Sequence, residues 1–217
     1  MLRLPLALAL VLACSLMALA QSQHKPATGT PSSKSAGDAQ VYRNSEFGFR
    51  YQIPYGWVDR TKEMREQDAA KESDVKAEKP DRKDKAGTGG EVLLAVFARP
   101  PEAAGASVNS AVVIAKESAA AYPGMKTAED YLGPLTELAT SNGFKANGDA
   151  SGLTIDEREL VRADFSRPLT DKLTMYQTTM VLLAKGQIVS FTFIAGSEDE
   201  IDDLLDGLRF GAPKLTH

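Results

Sequence analysis

Large apolar side chains fall on every second position between residues 47 and 53: Phe47, Phe49, Tyr51 and Ile53, with Gly48, Arg50 and Gln52 between them. Strict alternation of this kind predicts a strand with one buried face. Pro54 lacks an amide hydrogen and ends the pairing. Tyr55-Gly56 then turns the chain into Trp57-Val58. Residues 91–99 (EVLLAVFAR) are apolar without alternation, as a strand covered on both faces requires, and Pro100-Pro101 stops them. Ser110 to Lys116 (SAVVIAK) is the next strand. Three more follow, roughly Glu157 to Arg167, Met175 to Ala184 and Gln187 to Ala195, the last two joined by a hairpin turn at Lys185-Gly186.

Two stretches carry a helical period instead. Thr127 with Asp130 three residues on reads as a helix start. Ala128, Tyr131, Leu132, Leu135 and Leu138 form a stripe behind it, with Pro134 expected to kink or split the helix and Gly143 to close it. Ser197 with Glu200 is a capping box, followed by Ile201, Leu204, Leu205 and Leu208 at i, i+3, i+4 and i+7. Adjacent strands, one middle helix and one terminal helix predict an α+β fold: an antiparallel β-sheet of about six strands with helices packed on it.

Two regions lack such patterning. Residues 21–40 are rich in Ser, Thr, Gly, Pro and Ala and read as a flexible linker. Residues 59–85 hold nine Lys/Arg and nine Asp/Glu, so they are charge-balanced. Lys62–Glu66 and Glu72–Lys76 have helical spacing, but no apolar stripe runs beside them. Pro80 and the Gly87-Thr88-Gly89-Gly90 stretch break any helix. The expectation for 59–90 is a solvated insertion, partly helical, whose removal costs little burial. The folded domain is expected over residues 41–212.

The first twenty residues change the picture most. Arg3, an apolar run from Leu4 to Leu19, and Ala18-Leu19-Ala20 read as a secretory signal cleaved after Ala20. Cys14, the one cysteine of the chain, lies inside it. Leu12 and the apolar run beyond Cys14 fit a lipoprotein signal less well. The two histidines are His24, just after the signal, and His217, the last residue. An exported body without thiol or internal imidazole cannot form disulfides within itself and has no histidine base for nucleophilic catalysis. The expected location is periplasmic or secreted. No later run approaches the ~20 apolar residues of a membrane span. A formal charge of −4 gives no footprint for nucleic acid.

Three pieces together resemble the PsbP-like superfamily. They are the opening Tyr42-Arg43-Asn44 with Phe47 through Trp57, the late hairpin ending Gly186-Gln187-Ile188-Val189-Ser190-Phe191-Thr192-Phe193, and the acidic terminal helix ending Leu208-Arg209-Phe210. That group takes in the extrinsic subunit of photosystem II, a Ran-binding import factor and bacterial periplasmic proteins of the DcrB type. The resemblance implies an α/β/α sandwich around an antiparallel sheet and a mainly non-enzymatic role, docking on larger assemblies. Nothing in the chain implies photosynthesis.

Candidate chemistry is sparse. Ser118 two residues after Lys116 is a thin Ser-Lys pair. The acids of residues 198–206 lack the spacing and sharp-turn glycine of a calcium loop, and they suit a helix N-terminus. Gly87 to Gly90 lacks the Gly-Lys-Ser/Thr of a phosphate loop. Tyr55 and Trp57, beside a glycine turn, are the candidate docking surface, although the Trp57 ring also suits the core. The expected function is an exported accessory protein acting on a protein partner in the cell envelope, with no cofactor, metal or catalytic residue. The alternatives are a small carboxylate-based hydrolase and a carrier of a small apolar ligand.

Overall fold

The computed structural model describes residues 40–78 and 90–211. The signal, Cys14, His24, His217 and most of the Gly87 to Gly90 stretch lie outside the described residues. Two antiparallel sheets form the body. The small one joins β1 (Val41–Asn44), β2 (Phe49–Gln52) and β11 (Leu208–Phe210) in the order β1-β2-β11. The large one has eight strands: β3 (Val58–Asp59), β4 (Glu91–Phe97), β5 (Ala111–Ser118), β6 (Lys145–Ala146), β7 (Ser151–Ile155), β8 (Arg158–Thr170), β9 (Leu173–Ala184) and β10 (Gln187–Ala195). Its order is β3-β4-β5-β10-β9-β8-β6, with β7 also on β8. The expected α+β fold, an antiparallel sheet with helices packed on it, is observed; the large sheet has eight strands where about six were expected, and β1, β2 and β11 form a separate small sheet. The chain that opens as β1 and β2 pairs with the last strand, β11, and not with the large sheet.

Each face of the large sheet has its own apolar layer. One layer holds Val92, Ala95, Phe97, Val113, Phe165, Val181 and Ile188. Tyr131, Leu135 and Leu138 cover it, on and just before helix α2 (Leu132–Ser141). The other holds Leu94, Val96, Val112, Ile114, Met180, Val189, Phe191 and Phe193. It is covered by Phe49 and Tyr51 of β2, by Phe47 in the turn before it and Ile53 just after it, and by Ile201 and Leu204 of helix α3 (Glu198–Leu205). The alternation at 47–53 is thus fully used: all four apolar residues are buried.

The late hairpin turn follows the sequence. Lys185 and Gly186 have φ of +53° and +71°, the left-handed pair a two-residue hairpin needs. Asp156 and Glu157 take φ of +45° and +68° and close the β7–β8 hairpin by the same geometry. Gly207 has a different reason to be glycine: a Cβ there would lie 2.9 Å from the Tyr51 ring and 3.0 Å from the Gln52 carbonyl oxygen. The middle helical segment is split ahead of Pro134, between Tyr131 and Leu132. A 3-10 turn over Glu129–Tyr131 precedes α2, and Pro134 falls in the first turn of α2, where a missing amide hydrogen costs nothing. Asp130 Oδ2 accepts the amides of Lys126 and Thr127 at 2.7 and 2.9 Å. Those bonds hold its carboxyl below the usual carboxylate range.

The charged segment is more ordered than its composition suggests. Residues Thr61–Glu78 form an 18-residue helix, α1, and residues 79–89 lie outside the described residues. Its first turns lie on β4. Met64 is buried in the first apolar layer. Arg65 donates to the carbonyls of Val92 and Leu93 at 2.5 and 3.2 Å, and Thr61 Oγ1 accepts from the Ala95 amide at 2.9 Å. A single buried methionine is too narrow a stripe to register in sequence, yet with the Thr61 and Arg65 bonds it docks the helix. Deleting the segment would open the Met64 site.

Leu208 is another correction. The helical period continues through it, but α3 ends at Leu205 and Leu208 opens β11.

Candidate functional site

Tyr55 and Trp57 flank Gly56, whose φ is +80°. Pro54 and this glycine fix a tight turn between β2 and β3, and the Trp57 amide returns to the Pro54 carbonyl at 3.3 Å. The two aromatic rings separate. Trp57 is half-buried and packs on the second apolar layer. Tyr55 is 86% exposed. The turn therefore presents one free aromatic ring, braced by a second that belongs to the core.

Lys116 and Ser118 are not brought together as a dyad. Lys116 Nζ sits 3.0 Å from Glu46 Oε2 and 3.4 Å from Glu91 Oε2. The Glu46 hydrogen bond leads in raising its pKa, the wrong direction for a general base. Ser118 Oγ accepts the Ala120 amide at the start of the 3-10 turn over Ala119–Ala121.

Of the acids of α3, Glu200 belongs to the helix cap. Ser197 is its N-cap and accepts the Glu200 amide at 3.2 Å. Glu200 accepts from the Gly196 amide at 3.1 Å and from Ser110 Oγ at 2.5 Å. Beside them a shallow polar hollow is lined by Asp164, Gln177, Glu198 and Asp202, among others. Arg162 crosses it, bonding both Asp164 oxygens at 2.9 Å and lying 3.9 Å from Asp202. Asp164 also accepts from Thr178 Oγ1.

Two groupings escaped the sequence reading. The first is Glu117, buried at the end of β5. Tyr131 Oη donates to its Oε1 and Tyr122 Oη to its Oε2, the latter at 2.9 Å. The two rings meet edge-on, 5.1 Å between centroids. Burial raises the Glu117 pKa, against the two tyrosine hydrogen bonds, which lower it. Its stabilising contribution as the neutral acid is then complete below the unfolded value of 4.5 and is lost as pH rises through the folded one. Glu117→Gln keeps an acceptor for the tyrosines and cannot ionise. The variant should gain on the parent from pH 4.5 up to the folded pKa, by at most about 1.4 kcal/mol per pH unit, and no further above it. Thermal unfolding of both proteins from pH 4 to 8 measures this, and parallel curves would show that Glu117 does not titrate in that window.

The second is a row of arginines on the outer face of the small sheet. Arg43 lies opposite Arg50, and Arg50 opposite Arg209. Their neighbours Phe49, Tyr51, Leu208 and Phe210 point inward, so period-two alternation turns the row outward. All three line one shallow depression of about 290 Å3 with Val41, Gln52, Asp206 and Gly207. Arg50 donates to the Gly211 carbonyl at 3.2 Å and Arg209 to the Leu208 carbonyl at 2.7 Å. Among the described residues, no carboxylate comes within ion-pair distance of any of the three.

No family model matches the chain, and no curated protein matches it. Among solved structures, the chain is similar to cyanobacterial PsbP (CyanoP) from Synechocystis sp. PCC 6803, with 14% identity, 83% of this chain and 98% of that one covered, and a TM-score of 0.46. It is similar to PA94 from Pseudomonas aeruginosa, a protein of unknown function, at 14% identity over 78% of this chain and 90% of that one, TM-score 0.35. It is also similar to LpqN, involved in cell envelope biogenesis of Mycobacterium tuberculosis, at 13% identity over 81% and 91%, TM-score 0.37. None of these similarities assigns a role to a residue of this chain.

Proposed function

We propose that this chain is an exported accessory protein that docks on a protein partner in the cell envelope and carries out no reaction of its own. The observation that carries this reading is Tyr55, a large aromatic side chain 86% exposed at the tip of a turn fixed by Pro54 and Gly56. Tyrosine is enriched at interface hot spots because a rigid ring offers contact area at little entropic cost. The bracing of the turn by Trp57 removes much of the ordering cost that a mobile loop would pay. The signal-like first twenty residues and the linker-like stretch to residue 40 support export. No helix of the described residues is long and apolar enough to cross a membrane. The carrier alternative has less support: Tyr131, Leu135, Leu138 and Phe144 fill the space beneath α2, and Ile201 and Leu204 fill that beneath α3.

The experiment is co-purification from the native envelope with wild-type and Tyr55→Ala baits. Tyr55→Ala should leave the melting temperature unchanged and weaken capture of the specific partner by roughly 30-fold, the equivalent of about 2 kcal/mol at a hot spot. Equal recovery by both baits would place the docking surface elsewhere.

A further inference from the structure

The row Arg43–Arg50–Arg209 goes beyond the docking reading and rests on different residues. Like charges directly opposite each other across strands are destabilising, and this rung repeats the arrangement twice in a three-stranded sheet. Strand spacing sets the three side-chain stems about 5 Å apart, so the row spans about 10 Å. Each guanidinium has five donors. Arg50 and Arg209 use one each on nearby carbonyls, which fixes their direction. The Arg43 guanidinium makes no hydrogen bond among the described residues. The row lines a depression of about 290 Å3, a size suited to a small molecule and not to a long chain. Asp206 lines the same depression and offsets one of the three charges.

Arginine forks match phosphate and carboxylate oxygens bidentately. A single carboxylate has two oxygens and engages one fork. Three forks in a line are better matched by adjacent phosphates, each presenting several oxygens at once. The Gln52 side chain on the next rung lines the same hollow and adds an amide donor. We propose that the outer face of the β1-β2-β11 sheet is a binding site for a small soluble ligand carrying two or more linked phosphate groups, held by Arg43, Arg50 and Arg209.

The test is calorimetric titration of the intact chain with inorganic diphosphate at low salt. Binding is expected, and it should weaken as salt screens the exposed charges. Each of Arg43→Gln, Arg50→Gln and Arg209→Gln should weaken it about tenfold, the loss of one charge-assisted hydrogen-bonded contact. Asp206→Asn should tighten it. Removing one of three opposed charges should leave the melting temperature unchanged or raise it, which separates lost binding from lost folding. Arg→Lys at the same positions should restore only part of the affinity, because the charge returns without the fork. No diphosphate binding, or binding indifferent to all three arginine substitutions, overturns the proposal. So does equal affinity for inorganic phosphate and sulfate, which would make this an adventitious anion site only. Sedimentation with phosphatidylglycerol vesicles that diphosphate does not compete away would assign the row to a lipid surface and overturn it as well.

Discussion

Phe191→Ala should lower the stability of this protein by about 3–5 kcal/mol, against a total of roughly 5–15 for a domain of this kind. Phe191 is fully buried on β10, the central strand of the large sheet. Its ring meets Phe49 edge-on at 5.0 Å and Phe210 at 5.9 Å. Those partners sit on β2 and β11, so one ring ties the small sheet to the large one. Truncation removes its burial and both ring contacts, and it leaves a cavity between two sheets that cannot close independently. Urea unfolding should show a lower midpoint with an unchanged slope. Thr154→Ala, on exposed β7, should move the midpoint by no more than about 0.5 kcal/mol equivalent. A loss below about 1 kcal/mol for Phe191→Ala would mean that the small sheet does not pack through this ring.

The parts of the fold legible in sequence are those in which local chemistry and burial agree. Phe47 through Ile53 alternate, and the same four residues face the core. Lys185-Gly186 is a hairpin turn by residue type and by φ. Ser197 and Glu200 cap α3 as the motif requires. Where tertiary contacts decide, the sequence is silent. Helix α1 docks through one methionine and two arginine–carbonyl bonds, and its solvated charges hide that face. Strand β7 (Ser151–Ile155) includes Gly152 and only two large apolar side chains, so its pairing with β8 comes from the Asp156-Glu157 turn, whose residue types do not advertise φ > 0. Leu208 keeps the helical period, yet Gly207, placed by close approach to Tyr51, ends the helix before it.

The candidate sites divide the same way. The Trp57 ring reads as a core residue in sequence, and it packs on the second apolar layer. The exposure of Tyr55 shows only in the folded turn. The arginine row needs the register of β1 on β2 and of β2 on β11, the latter linking residues about 160 positions apart in sequence. No spacing rule reaches that far. Glu117 reads as the polar end of a strand. Its burial follows from the 3-10 turns after β5, which fold Tyr122 and Tyr131 over it.

Leu204→Ala should be the second large loss, about 2–5 kcal/mol. Helix α3 has only eight residues, too short to hold itself in water, so its stability must come from packing. Ile201 and Leu204 supply the buried face, and Tyr51 Oη donates to the Leu204 carbonyl at 3.2 Å, satisfying one of the helix's terminal acceptors. Burial raises the Tyr51 pKa, so the phenol stays a donor throughout the neutral range. Truncating Leu204 empties the pocket beside this bond and loosens the anchor of the chain just before β11, so part of the small sheet should weaken with it. Hydrogen exchange should report faster exchange at Leu208 and Phe210 as well as in the helix. Asp203→Ala is the control: the side chain is exposed and lies beyond the first turn, so the midpoint should stay within about 0.5 kcal/mol equivalent. Millimolar calcium should move neither protein. A calcium-dependent rise in melting temperature abolished by Asp199→Ala or Asp202→Ala would turn the acidic face from a helix complement into a metal site.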